Sequence, residues 1–218
     1  MNKKMTLAAA AVLASLMLVA TSWAAKPGPD ATLTLAVSPT TVKFGKPATV
    51  SGAISSKAAG VQLVLEYDAF PFDGKYTDTG TTTTGADGTY SYTVTPPTST
   101  RYRVVTVDKP KITSPEGTLL VRWNISLGVS DKTPKKGTRV RFSGAVKPAL
   151  PNGLVAIQRR VGDIWKTVKQ TTMVTGDVNQ TNYSVKVRVR NTGRYRSVVL
   201  GDGAHETGVS VSRRIVVH

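Results

Sequence analysis

The chain of 218 residues contains no cysteine, so no disulfide framework or thiolate metal site is available to it. Its stability must come from an apolar core, and no lipid can be carried on an N-terminal cysteine. Histidine is almost absent. His205 sits in a Gly/Asp loop and His218 is the last residue. A nucleophile beside a base therefore has little to be built from. His205 near Asp202 and Glu206 reads as a solvated loop histidine rather than part of a relay. Zinc has no His/Cys cluster to bind, and no glycine-rich phosphate loop opens a helix. Acidic residues are scarce, 13 against 29 Lys and Arg. They lie scattered in loops, with no pair placed for glycoside hydrolysis. Asp68, Asp73, Asp78 and Asp87 are oxygen ligands in type, but their spacing matches no calcium loop, and acids in turns commonly serve turn geometry. The expectation is a non-enzyme with no cofactor, no metal and no small-molecule substrate.

What is present begins with an export signal. Met1 to Lys4 is a short positive region, Thr6 to Ala20 an apolar one, and Thr21 to Ala25 supplies small residues for cleavage after Ala24 or Ala25. The apolar run is short for a membrane span, which needs about 20 residues. Residues 1–25 thus read as a bacterial signal peptide and 26–31 as an extended spacer. The processed chain is expected to be secreted or cell-surface, without an integral membrane span.

The rest is written twice. Phe44-Gly45-Lys46-Pro47-Ala48-Thr49-Val50-Ser51-Gly52 aligns with Lys136-Gly137-Thr138-Arg139-Val140-Arg141-Phe142-Ser143-Gly144, the glycines 92 residues apart. Tyr90 and Tyr183, then Tyr102 and Tyr195, pair at 93. Three landmarks in one order at nearly one offset mark a repeat of about ninety residues, the size of one sandwich domain. Within each repeat apolar residues alternate with polar ones, the period of a strand. Leu33, Leu35 and Val37, then Val61, Leu63 and Leu65, are examples. Turn signals such as Asp73-Gly74, Asp87-Gly88 and Pro96-Pro97 separate the runs. About seven short strands per repeat predict an all-β chain of two tandem immunoglobulin-like or fibronectin III-like sandwiches, residues 32–122 and 123–218. Leu119, Val121, Trp123, Ile125 and Leu127 alternate without a linker, so the join should be stiff, with Trp123 in its core.

Gly153-Leu154-Val155-Ala156-Ile157-Gln158-Arg159-Arg160 followed by Trp165-Lys166-Thr167-Val168 resembles the G-x-V-x-L-Q-R-R…W-x-x-V pattern of bacterial extracellular immunoglobulin-like repeats. Ala86 to Val94 and Gly193 to Arg196 look like later strands of the same repeat. The first repeat departs from the pattern: it lacks Gln-Arg-Arg, and Tyr76 stands where Trp165 does. The resemblance covers nearly the whole chain after the leader. It implies a sandwich fold and an extracellular setting, and it carries no activity.

Charge separates the two repeats. Residues 25–121 hold nine Lys and Arg against eight acids; residues 122–218 hold eighteen against five. Lys186, Arg188 and Arg190 alternate with Val185, Val187 and Val189, and Arg139 and Arg141 with Val140 and Phe142. Arg194 and Arg196 flank Tyr195. These seven cations are the candidate surface for a polyanion, attracted by counterion release and field focusing. A solvated face that guards an edge strand is the plainer reading. In the first repeat Phe70, Phe72 and Tyr76 form an aromatic loop that would contact a sugar or a protein if exposed, or tuck under the sandwich if not. Three functions follow as expectations: docking on an anionic envelope polymer, binding an acidic protein partner as an assembly subunit, or carbohydrate binding through the Phe70–Tyr76 loop.

Overall fold

A computed structural model describes residues 26, 28 and 30–218. The signal peptide expected at 1–25, and Pro27 and Pro29 of the spacer, lie outside the described residues. Among the described residues there is no helix, and none long and apolar enough to cross a membrane. The chain is all-β.

Eight strands build the N-terminal sandwich: β1 (Ala36–Ser38), β2 (Thr41–Lys43), β3 (Ala48–Ala53), β4 (Gln62–Ala69), β5 (Thr77–Thr83), β6 (Thr89–Val94), β7 (Thr100–Thr106) and β8 (Gly117–Arg122). One sheet has the order β1-β3-β6, the other β2-β8-β7-β4-β5. Ten strands build the second: β9 (Asn124–Ile125), β10 (Gly128–Val129), β11 (Arg139–Lys147), β12 (Leu154–Val161), β13 (Ile164–Thr172), β14 (Val174–Thr175), β15 (Thr181–Arg188), β16 (Gly193–Val199), β17 (Gly208–Val209) and β18 (Arg213–Ile215). Its sheets run β10-β11-β15-β14, with β9 also on β11, and β13-β12-β16-β17, with β18 also on β16.

Period-two alternation explains the cores. Val50, Leu63, Leu65, Tyr102, Val104 and Leu119 face inward in the first sandwich, as Val140, Phe142, Val155, Ile157, Tyr195 and Val199 do in the second. The repeat holds down to irregularities. The β4–β5 pairing shifts register between Leu65 and Glu66, and β12–β13 shifts between Ile157 and Gln158. Both shifts place one extra residue on the outer strand, a β-bulge. The paired turn glycines Gly45 and Gly137 both have positive φ, 77° and 86°, which a side chain resists.

Gly52 and Gly144 serve another purpose. Tyr90 donates its hydroxyl hydrogen to the Thr34 carbonyl, and Tyr183 donates to that of Ser126 at 2.6 Å. Each bridge passes directly over one of these glycines. A Cβ on Gly52 would collide with the Thr34 carbonyl and lie 2.6 Å from the Tyr90 oxygen; one on Gly144 would collide with the Ser126 carbonyl and lie 2.8 Å from the Tyr183 ring. Because one contact in each case is backbone, neither can swing away. Gly52→Ala and Gly144→Ala should each destabilise their own sandwich by about 1–3 kcal/mol. Gly80→Ala, which meets nothing within 4 Å, should not. Calorimetric unfolding of the three variants measures the difference.

Burial also raises the phenol pKa of Tyr102 and Tyr183 to about 12 in each case. An unfolded tyrosine ionises near pH 10. The stabilisation that each buried neutral phenol supplies is therefore complete below pH 10 and lost as pH rises towards 12. The loss is about 1.4 kcal/mol per pH unit per tyrosine. Unfolding temperature should fall steeply across that window, and Tyr183→Phe should flatten the fall.

Candidate functional site

The two β-strands that carry most of the sequence-proposed cations are neighbours. Strand β11 pairs antiparallel with β15 so that Arg139 faces Arg188 and Arg141 faces Lys186, while Val140 faces Val187 and Phe142 faces Val185 on the opposite, inward side. All four cations are exposed. Like charges set directly opposite one another on a sheet are unfavourable. Among the described residues no carboxylate lies within ion-pair distance of any of them.

A groove of about 440 Å³ runs beside this ladder, lined by Arg139, Lys186, Val187 and Arg188 from one sheet and by Val168 and Lys169 from β13, the edge strand of the other. Lys169 adds a cation that pattern reading did not place there. Its own strand neighbours say nothing about β15; the two strands meet only because both sheets end at this flank. The bulge opposite Ile157 and Gln158 puts Val168 and Lys169 at the same margin. Four cations without an acid thus line one groove, and low-dielectric walls on two sides strengthen the field within it.

The remaining sequence-proposed cations stand elsewhere. Arg190 lies just beyond the end of β15 and is exposed. Arg194 and Arg196 belong to β16, in the other sheet. Arg194 faces Arg214 across β18. Arg196 is half-buried, its guanidinium 4.2 Å from the Trp165 ring centre, and its Nε donates to Gln158 Oε1 at 2.9 Å. The first repeat builds the same clamp from different residues: Arg103 lies 3.8 Å over the Tyr76 ring and pairs with Glu66 at 2.5 Å. The Gln-Arg-Arg…Trp pattern is thereby explained in part as packing. Gln158 and Trp165 hold an arginine flat on the outer face of the sheet.

Arginines also lie over the aromatic loop. Arg103 covers Tyr76, and Arg101 lies 4.6 Å over the Phe72 ring. Phe70 packs edge-on against Phe72 at 5.8 Å and abuts Gly203 of the second sandwich. Phe70 keeps 40% exposure, while Phe72 and Tyr76 each have one face covered by an arginine. The loop's acids have local work: Asp68 accepts from the Gly74 amide at 3.2 Å, and Asp73 pairs with Lys75 at 2.8 Å. Asp87 accepts from Thr89. Among the described residues no group of three His, Asp or Glu is gathered to hold a metal ion.

His205 is not solvated as its Gly/Asp surroundings suggested. It is buried, stacks on Trp123 with ring centres 4.2 Å apart, and its Nε2 lies 3.0 Å from the Pro97 carbonyl of the first sandwich. The Ser99 amide donates to the Ala204 carbonyl and the Glu206 amide to the Val121 carbonyl, at 2.9 and 2.8 Å. Loop 200–207 is thus stitched to the first sandwich, and His205 belongs to the join. Local composition misled because the partner surface comes from a loop about one hundred residues earlier.

No protein-family model matches the chain, and no curated protein matches it. Among solved structures, a tetra-tandem repeat from the extending region of a large adhesion protein is 17% identical, covering 85% of this chain and 48% of that one, with a TM-score of 0.36. This chain therefore spans about half of that structure's length. The D0-D1 domain of intimin is 12% identical over 84% of this chain and 97% of that one, with a TM-score of 0.32. At these identities and scores, the reading of the site rests on its own geometry.

Proposed function

We propose that this chain is a non-catalytic module of the bacterial surface or surroundings that docks on an anionic polymer through the groove lined by Arg139, Lys169, Lys186 and Arg188. The observation that carries this reading is the internal repeat. The first sandwich has the same flank, and its equivalent positions are uncharged: Pro47 for Arg139, Gly80 for Lys169, Thr93 for Lys186 and Thr95 for Arg188. The fold is therefore built without these cations, and in the second sandwich Arg139 faces Arg188 and Lys186 faces Arg141 without neutralisation. A shared scaffold that is charged in only one copy points to a ligand rather than to folding. The first sandwich and the stiff join would then serve as spacer and presenter, consistent with the leader expected at 1–25.

The test is binding of the full chain to polyphosphate and to polygalacturonate over a series of salt concentrations. A site of four cations predicts that log affinity falls linearly with log salt, with a slope of about −3. Absence of binding at low salt would overturn the reading and turn the search to an acidic protein partner.

A further inference from the structure

We infer that the corresponding flank of the first sandwich is a second binding site, a cleft that takes an uncharged sugar. The cleft has a volume of about 570 Å³, larger than the cationic groove and within the range of small-ligand sites. It opens between β5 and β6, each the last strand of its sheet. Tyr67, Tyr92 and Tyr102 supply its rings and Thr79, Thr93 and Thr95 its rim, with no charged side chain in the lining. The three threonines are exposed.

Two features choose the class of ligand. Absence of charge where the sister groove carries four cations excludes a polyanion by contrast within one chain. The combination of ring surfaces with hydroxyls suits a molecule that has both an apolar face and hydroxyl groups, which describes a pyranose. The Tyr92 hydroxyl lies buried in the wall without a hydrogen-bond partner. Burial without a partner is unfavourable for a hydroxyl, and an outward turn of the Tyr92 ring into the cleft would let a sugar oxygen relieve it, whereas a hydrocarbon chain would not. This site is separate from the aromatic loop, whose Phe72 and Tyr76 lie under Arg101 and Arg103.

The experiment is saturation-transfer NMR on the full chain with cellotetraose, maltotetraose, mannotetraose and chitotetraose, with decanol as an apolar probe. At least one sugar should bind. Tyr92→Phe should weaken it about fivefold, the loss of one hydrogen bond. Gly80→Lys, which copies Lys169, should weaken it more than tenfold by filling the cleft; Gly80 has open space around it, so the fold tolerates the change. Unfolding temperature checks that tolerance, and Tyr92→Phe should leave polyphosphate binding unchanged. No sugar binding, decanol binding alone, or sugar binding insensitive to both variants would each overturn the inference. None of these results touches the cationic groove, whose failure is read separately from the salt slope.

Discussion

Replacing Arg139, Lys169, Lys186 and Arg188 together by threonine should weaken polyphosphate binding about a thousandfold at low salt, at about 1 kcal/mol per cation near an anionic surface. The slope of log affinity against log salt should shrink by about 3. Stability should move the other way. Arg139 faces Arg188, and Arg141 faces Lys186, in strand pairs with no acid beside them. Directly opposed like charges cost about 0.2–1 kcal/mol per pair, and threonine suits an exposed strand. The quadruple variant should therefore melt at the same temperature or higher while losing its ligand. A packing role for the cations predicts the reverse, lower stability with unchanged binding. Arg196→Thr is the matched comparison. It removes a cation from the other sheet and breaks the clamp on Trp165 and Gln158. Its cost should appear in stability, with the salt slope left as it was.

Trp123→Ala should destabilise the second sandwich by about 3–5 kcal/mol and release the two sandwiches from one another. Trp123 is 2% exposed and belongs to the second core. Its indole nitrogen donates to the Leu200 carbonyl at 3.1 Å, and its ring carries His205. Removing the ring leaves a cavity, an unpaired carbonyl and a buried imidazole with nothing to lie on. Gly208 shows how tightly the place is filled: a Cβ there would come within 2.6 Å of the Trp123 carbonyl oxygen. The strand path through Arg122 and Asn124 would persist, because the chain is continuous, but the loop 200–207 would lose its seat. Calorimetry should show the second sandwich melting well below its former temperature. Small-angle scattering should show a broader range of inter-sandwich angles. A loss under about 1 kcal/mol with unchanged scattering would mean that Pro97, Ser99 and Glu206 hold the join without the indole.

Much of this architecture is determined by local pattern. The strand pleat has a period of two, so Val140, Phe142, Val185 and Val187 could be assigned inward and Arg139, Arg141, Lys186 and Arg188 outward from their own neighbours alone. The repeat offset of 92–93 residues likewise announced two sandwiches, because each needs the same turn glycines and the same buried tyrosines. Trp123 declared itself at the join through unbroken alternation on both sides.

Alternation says which side of its strand a residue faces, and it does not say which sheet that strand joins. Arg194 and Arg196 looked equivalent to Arg188 and Arg190 by pattern, yet β16 pairs with β12 and places them on the other sheet. Lys169 carried no signal of its own and enters the groove because β13 and β15 end at one flank. The sequence left the loop of Phe70, Phe72 and Tyr76 either exposed or tucked under, and said nothing of the Arg101 and Arg103 that lie over Phe72 and Tyr76; His205 read as solvated until Pro97 and Trp123 enclosed it. In each case the deciding contact spans tens of residues, and only the packed sheets bring those partners within reach.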